Sequence, residues 1–239
     1  ADDKPENRAL IRRAGAEGTV LLKNDGVLPV RPGQRIAVIG PNAKVAQIMG
    51  GGSSQLNPHY RVSPWDGLVD AVGAENLTFA SGCGNDRFQP LLRTDLKVEF
   101  FAGRNLAGDV VDVEMLEAAE TFWLGMVAGG RLPALDFSAR LTGTFTAERS
   151  GTYQVGIASA GLSKVFVNGK LIADAWTNWT QGRTFFEEGC DEVVGSVELE
   201  AGTPAEVVIE FASKDHATLG IAAFRAGIGL PMGDADIAE

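Results

Sequence analysis

"RIAVIGPNAKVAQIMGGGSSQLNPHY", residues 35–60, with "RVSPWDGLVDAV", residues 61–72, decides how the first part of the chain is built. The branched run from Arg35 to Ile39 reads as a buried strand that breaks at Gly40-Pro41 into a glycine-rich loop. Ser63 then stands as an N-cap with Pro64 in the first turn, and Trp65, Leu68, Val69 and Val72 share one helical face. "NLTFASG", residues 76–82, reads as a further strand, so the order is strand, loop, helix, strand, the βαβ grammar of an α/β domain. Upstream, Asp3 and Glu6 have capping-box spacing and Pro5 suits a first turn, which predicts a helix over residues 4–17. "TVLLKN", residues 19–24, predicts another buried strand of a mainly parallel sheet.

The texture changes near Asp95. "LKVEFF", "LTGTFTAE", "GTYQVGIAS", "KVFVNGKLIAD", "VVGSVELEAG" and "AEVVIEFAS" are short strands separated by turn residues. Asn168-Gly169 between two apolar runs predicts a tight hairpin. Ala205, Val207, Ile209 and Phe211 alternate with Glu206, Val208 and Glu210, as in a half-buried strand. Several such strands in succession predict a β-sandwich. In "GIGLPMGDADIAE", residues 227–239, Asp234 or Asp236 is placed to cap a helix for which no residues follow. The expected fold class is therefore α/β plus all-β: an incomplete α/β domain at 1–93 and 227–239, interrupted by an inserted β-sandwich at 94–226.

The composition is that of a globular chain, with 45% hydrophobic and 22% charged residues. A net charge of −10 argues against nucleic acid or an anionic membrane as partner, since both require basic patches. No apolar run approaches the roughly 20 residues of a membrane-spanning helix. The start "ADDKPENRAL" has no signal-peptide pattern, and a removed one leaves export open; a secreted or periplasmic location is favoured over a cytoplasmic one. Cys83 and Cys190 make no disulfide framework and no metal spacing, and two separate thiols are expected. His59 and His216 have no partner spacing for a metal or for catalysis.

The glycine loop invites a phosphate reading, which spacing removes. A Walker A loop needs a lysine and a hydroxyl after its glycines, whereas Lys44 precedes them. A dinucleotide fingerprint needs GxGxxG directly after the strand, and Pro41 occupies that turn. Ser53, Ser54, Gln55, Asn57 and His59 instead supply neutral donors and acceptors, which suit a hydroxyl-rich ligand. No cofactor is expected.

"AEGTVLLKNDGVLPV", "IAVIGPNA", "GGGSSQLNPHYRVSPWDGL" and "FASGCG", in this order and at this spacing, resemble glycoside hydrolase family 3 over residues 6 to about 85. There these motifs open an α/β sandwich domain that packs on a catalytic barrel. "SGTYQVGIASAGLSKVFVNGKLIADAW" and "TFFEEGCDEVVGSVELEAG" resemble the protective-antigen-like β-sandwich that some members insert into that domain. The resemblance implies an interior fragment of a retaining β-glucosidase that acts on terminal non-reducing β-D-glucosyl residues. Its partners would be a β-glucoside and the missing barrel and remainder of the α/β domain. A non-catalytic carbohydrate-binding module or an interaction fragment is the alternative.

What the resemblance implies about the site is more specific. Retaining hydrolysis needs an Asp nucleophile and a Glu acid/base about 5 Å apart. In the family the Asp comes from the barrel and the Glu from beyond the insert, so neither is expected here, and the chain alone is expected to be inactive. Glu187, Glu188 and Asp66 are read as solvated or capping charges. Ser53 matches the family serine that reaches into the sugar pocket. Gly51 stands where many relatives carry a tryptophan wall, a job that the insert's Trp176, Trp179, Phe185 and Phe186 are candidates to take over. "SAGLSK" lacks the aspartate pair by which some relatives of this sandwich hold a calcium ion, so no metal is expected.

Overall fold

The computed structural model describes residues 3–31, 33–49, 56–84, 86–214, 218–231 and 233. It divides into two compact units, one of residues 1–85 and 232–239 and the other of residues 86–231, so in chain order the second interrupts the first. Ser53 and Gly51, like His216 and the proposed caps Asp234 and Asp236, lie outside the described residues.

In the α/β unit, α1 spans Pro5–Gly18, β1 Ile36–Ile39, α2 Pro64–Val72 and β2 Leu77–Ala80. β1 and β2 pair in parallel, with Ile36 opposite Leu77 and Ile39 opposite Ala80. The α2 cap forms as the sequence predicts: Asp66 N–H donates to Ser63 Oγ at 3.1 Å, and Asp66 Oδ2 accepts from Ser63 N–H at 2.8 Å. The helix turns Trp65 onto Phe79 of β2, their ring centroids 6.0 Å apart, and Lys44 lies over both rings.

Two local expectations fail in this unit. The cap of α1 is Lys4 and no side chain bonds the helix there; Asp3 instead pairs with Arg8 at 3.3 Å and accepts from Tyr60 OH. Residues 19–24 form no strand, because a run of that length needs a neighbouring strand to take its backbone hydrogen bonds and none is present among the described residues. The run ends instead in a turn closed by Asn24, whose Oδ1 accepts from Gly26 and Leu28 N–H while its Nδ2 donates to Leu28 O.

The other unit is a sandwich of antiparallel sheets. One has six strands in the order β11-β10-β13-β8-β3-β4. These are Lys170–Ala175, Leu162–Val167, Pro204–Ala212, Phe137–Thr146, Leu96–Ala102 and Val110–Leu116. The second has four in the order β12-β9-β14-β5. These are Val193–Leu199, Gly151–Ala160, Ile221–Gly229 and Glu120–Leu124. A short pair, β6 (Met126–Val127) and β7 (Leu132–Pro133), forms a hairpin of its own.

The β10–β11 hairpin turns at Asn168 and Gly169, both at positive φ as a type I′ turn demands. Ala205, Val207, Ile209 and Phe211 all point inward and are buried. Between the sheets Trp123 lies at the centre of an aromatic core, 5.1 Å from Phe137, 5.2 Å from Phe211 and 5.8 Å from Phe224.

This unit starts before residue 94 and runs past residue 226 because the chain on either side is stitched to it. Leu91 bridges Gly227, Leu92 N–H donates to Ala226 O, and Ile228 N–H donates to Pro90 O. Both carboxylate oxygens of Glu192 accept from Gln89 N–H. Only glycine fits at 227, where a Cβ would come within 2.4 Å of Gln89 O.

Candidate functional site

The site grows from one loop, residues 176–192, between β11 and β12. Asp174 turns the chain out of β11 by accepting from Trp176 N–H and Thr177 N–H at 2.8 and 2.9 Å. The loop then pinches shut. Gly182 N–H donates to Gly189 O at 2.8 Å, Gly189 N–H to Thr184 O at 3.1 Å, and Thr184 Oγ1 to Cys190 O at 2.7 Å. Gly189 is compelled here, since a Cβ would lie 2.2 Å from Thr184 Oγ1 and 2.7 Å from Phe185.

Inside the pinch, Phe185, Phe186 and Glu187 take φ values of 48°, 59° and 66°. Three successive non-glycine residues in the left-handed region cost roughly 1–2 kcal/mol each. Strain of this kind persists only where surrounding structure enforces it. Its effect is to split two adjacent rings. Phe185 packs inward on Ala160, Ile221 and Ala223, while Phe186 stands out, 74% exposed. Phe122 of the edge strand β5 braces Phe186 edge-to-face, with ring centroids 6.4 Å apart.

Phe186 forms one side of a cleft of about 630 Å³ within this unit. Trp179, Glu187, Glu188, Lys214 and Leu219 are among its other walls. Trp179 is fixed on three sides. It packs against the sandwich core, its indole N–H reaches Ser159 O at 3.5 Å, and Lys214 Nζ lies 3.0 Å above its ring. Burial pushes the Lys214 ammonium below the usual lysine range, with neighbouring Cys190 opposing the shift. Glu188 Oε1 accepts from Leu219 N–H, tying the strained turn to the β13–β14 connection.

Of the four aromatic candidates, the structure brings Trp179 and Phe186 together in the cleft. Trp176 lies outside its walls, with Lys164 Nζ 5.6 Å from its ring centre, and Phe185 is turned to the core. Sequence reasoning missed Phe122, Lys214, Leu219 and the role of Glu188. Only Phe122 left a signal, an aromatic alternating with the core residue Trp123 on a short strand.

No group of three or more His, Cys, Asp or Glu gathers as a metal site among the described residues. Cys83 and Cys190 are free thiols, and Asp66 is bound up in the α2 cap. In the α/β unit two grooves of about 760 Å³ flank α1, with Arg8, Ile11 and Tyr60 bordering both.

Residues 19–231 match the glycosyl hydrolase family 3 C-terminal domain. The chain is 44% identical over 242 residues to a β-glucosidase of Rhizobium radiobacter, covering 99% of this chain and 30% of that protein. It is 37% identical over 226 residues to a probable β-glucosidase I of Aspergillus clavatus, covering 88% of this chain and 26% of the relative. The crystal structure of the Kluyveromyces marxianus β-glucosidase in complex with glucose shares its fold. That match has a TM-score of 0.72 at 24% identity, over 98% of this chain and 30% of the other. The chain thus spans about a third or less of the proteins it matches.

Proposed function

Since the chain belongs to glycosyl hydrolase family 3, we propose that it forms part of a retaining β-glucosidase. In this reading it supplies pocket wall and substrate selection to an enzyme whose nucleophile Asp and acid/base Glu lie outside it. The substrate is a terminal β-D-glucoside. The cleft at Phe186 receives the leaving group, and Ser53 offers its hydroxyl to the glucose being released. The relatives named as β-glucosidases support the substrate class.

One observation carries the assignment of the cleft: an exposed phenyl ring held outward by a strained, hydrogen-bonded turn. Sugars offer a face of C–H bonds that packs well on such a ring. The polar walls are mixed in charge, with Lys214 against Glu187 and Glu188, which suits a neutral ligand. The apolar residues left open in the α/β unit, among them Leu22 at 92% and Ile39 at 69% exposure, fit cover by the barrel and the remaining α/β strands of the same enzyme.

The test is Phe186→Ala in the complete enzyme. The value of kcat/KM should fall about tenfold on a glucose disaccharide and on 4-nitrophenyl β-glucoside, whose leaving groups are rings. It should be unchanged on β-glucosyl fluoride, which has no leaving-group ring. Equal values for all three substrates in variant and parent would refute the assignment.

The cleft is walled by the all-β unit alone, as a self-contained carbohydrate-binding module would require, and this favours a second reading. That reading predicts disaccharide binding by the 239-residue chain with no kinetic consequence of Phe186→Ala in the enzyme.

A further inference from the structure

Val155, Ile157, Phe224, Ala226 and Ile228 face the sandwich core, so Gly156, Gly227 and Gly229, which alternate with them, lie on the other face of the four-stranded sheet. The chain entering this unit, residues 87–92, runs over that face. A Cβ at Gly227 would meet Gln89, one at Gly229 would lie 2.7 Å from Pro90, and one at Gly156 would collide with the Glu192 carboxylate. Glu192 is half-buried where the 176–192 loop ends. Its two oxygens share a single donor of the entry segment, Gln89 N–H, at 3.0 and 3.1 Å. The Gln89 side chain continues across the same face and donates to Gln154 Oε1 of β9 at 3.0 Å. A carboxylate can accept about four hydrogen bonds, so one shared N–H is poor return for a charge partly withdrawn from water.

The surrounding charges offset this little. Arg225 of β14 acts on Glu192, but its guanidinium is divided among Gln89 O at 2.9 Å, Glu120 of β5 at 3.8 Å and the Phe88 ring, whose centroid is 5.0 Å away. Arg87 of the entry segment lies against Phe88 as well, at 5.1 Å. Asp191, next in sequence, accepts from Arg183 N–H, and β9 presents the neutral Gln154 and Gly156. We infer that Glu192 is an acid-tightened clasp: uptake of one proton by its carboxyl strengthens the hold of the sandwich on the segment through which the chain enters it. The neutral carboxyl is freed of the half-hidden charge and still accepts from Gln89 N–H through its carbonyl oxygen. Burial accordingly pushes the Glu192 carboxyl above the usual glutamate range, against the Gln89 hydrogen bond and the charge of Arg225. When the segment lifts away, water reaches the carboxyl and its pKa returns toward about 4.3. The closed form therefore gains most below that value, and the gain is lost as pH rises through the closed-state pKa. This is the reverse of a carboxylate in a full cap or ion pair, and it requires no ligand.

The experiment is amide hydrogen exchange of the complete enzyme, read by mass spectrometry on peptides covering residues 87–92 and 226–229. Leu92 N–H and Ile228 N–H, which close the segment onto β14, report its opening along with Gln89 N–H. Protection is compared at about pH 5 and about pH 8, each corrected for the intrinsic exchange rate of an open chain. In the parent, protection should be at least about twofold higher at the lower pH. Glu192→Gln is neutral at both and keeps an oxygen for Gln89 N–H, so it should hold the higher protection throughout. Glu192→Ala, with no acceptor, should be less protected than the parent at both. Equal or lower parental protection in acid overturns the inference, and that profile decides even where a variant fails to fold. A Glu192→Gln enzyme that keeps the parent's pH dependence, or a Glu192→Ala enzyme as well protected as the parent, overturns it too. The readout is exchange rather than turnover, so neither result bears on the proposed substrate.

Discussion

Phe186 shows how far a single residue departs from what its own chemistry prefers. A phenylalanine at φ 59° has its Cβ crowded against the following carbonyl, and it is flanked by two residues in the same region. The usual sequence signals for positive φ are glycine and asparagine, so this turn was not legible, whereas Asn168-Gly169 was. Glu187→Gly is therefore expected to stabilise the protein by about 1 kcal/mol. Thermal melting checks this, and a lower Tm would show that the turn is not strained.

Asp66 makes the complementary case of a residue whose chemistry the sequence announced. Hydrogen bonds from the Ser63 backbone and then its hydroxyl hold the carboxyl below the usual aspartate range, against a small opposing effect of burial. A depressed native pKa stabilises the fold above the unfolded value near 3.9, and the contribution disappears as pH falls through the native pKa. Ser63→Ala should move the Asp66 titration upward toward the unfolded value, read by carboxyl NMR. An unmoved titration would contradict the cap.

At the level of elements, the strands that could be read were those with strict alternation or a hairpin dipeptide, such as β13 and the β10–β11 pair. β14 was not legible, because Ile221–Gly229 is buried along almost its whole length and gives no in-out period. It pairs with β9 on one side and β5 on the other, and its two late glycines let Gln89 and Pro90 lie on it. The run at 19–24 failed for the opposite reason, having apolar character but no strand beside it. Packing between the sheets supplies a further prediction. Phe211 is fully buried and touches Trp123, Phe137 and Phe224, so Phe211→Ala should cost about 3–5 kcal/mol. A loss below about 1 kcal/mol in chemical denaturation would mean that the aromatic cluster is not the core of the sandwich.

For the whole molecule, the sequence carried the change from α/β to all-β texture and the family, because both rest on long patterns. The cleft was only half legible. Aromatic residues in "DAWTNWTQGRTFF" drew attention to the loop, but which ring turns outward is decided by the pinch between Gly182 and Gly189. Glu188 gained its place from Leu219, 31 positions away in sequence, a pairing no local pattern announces.

The central claim is that the Phe186 cleft receives the leaving group of a β-glucoside. The most direct measurement is a crystal structure of the complete enzyme with a non-hydrolysable thio-linked glucose disaccharide. The account predicts the Phe186 ring within about 4 Å of the reducing-end sugar. A reducing-end sugar bound with no atom of Phe186 in contact would contradict it.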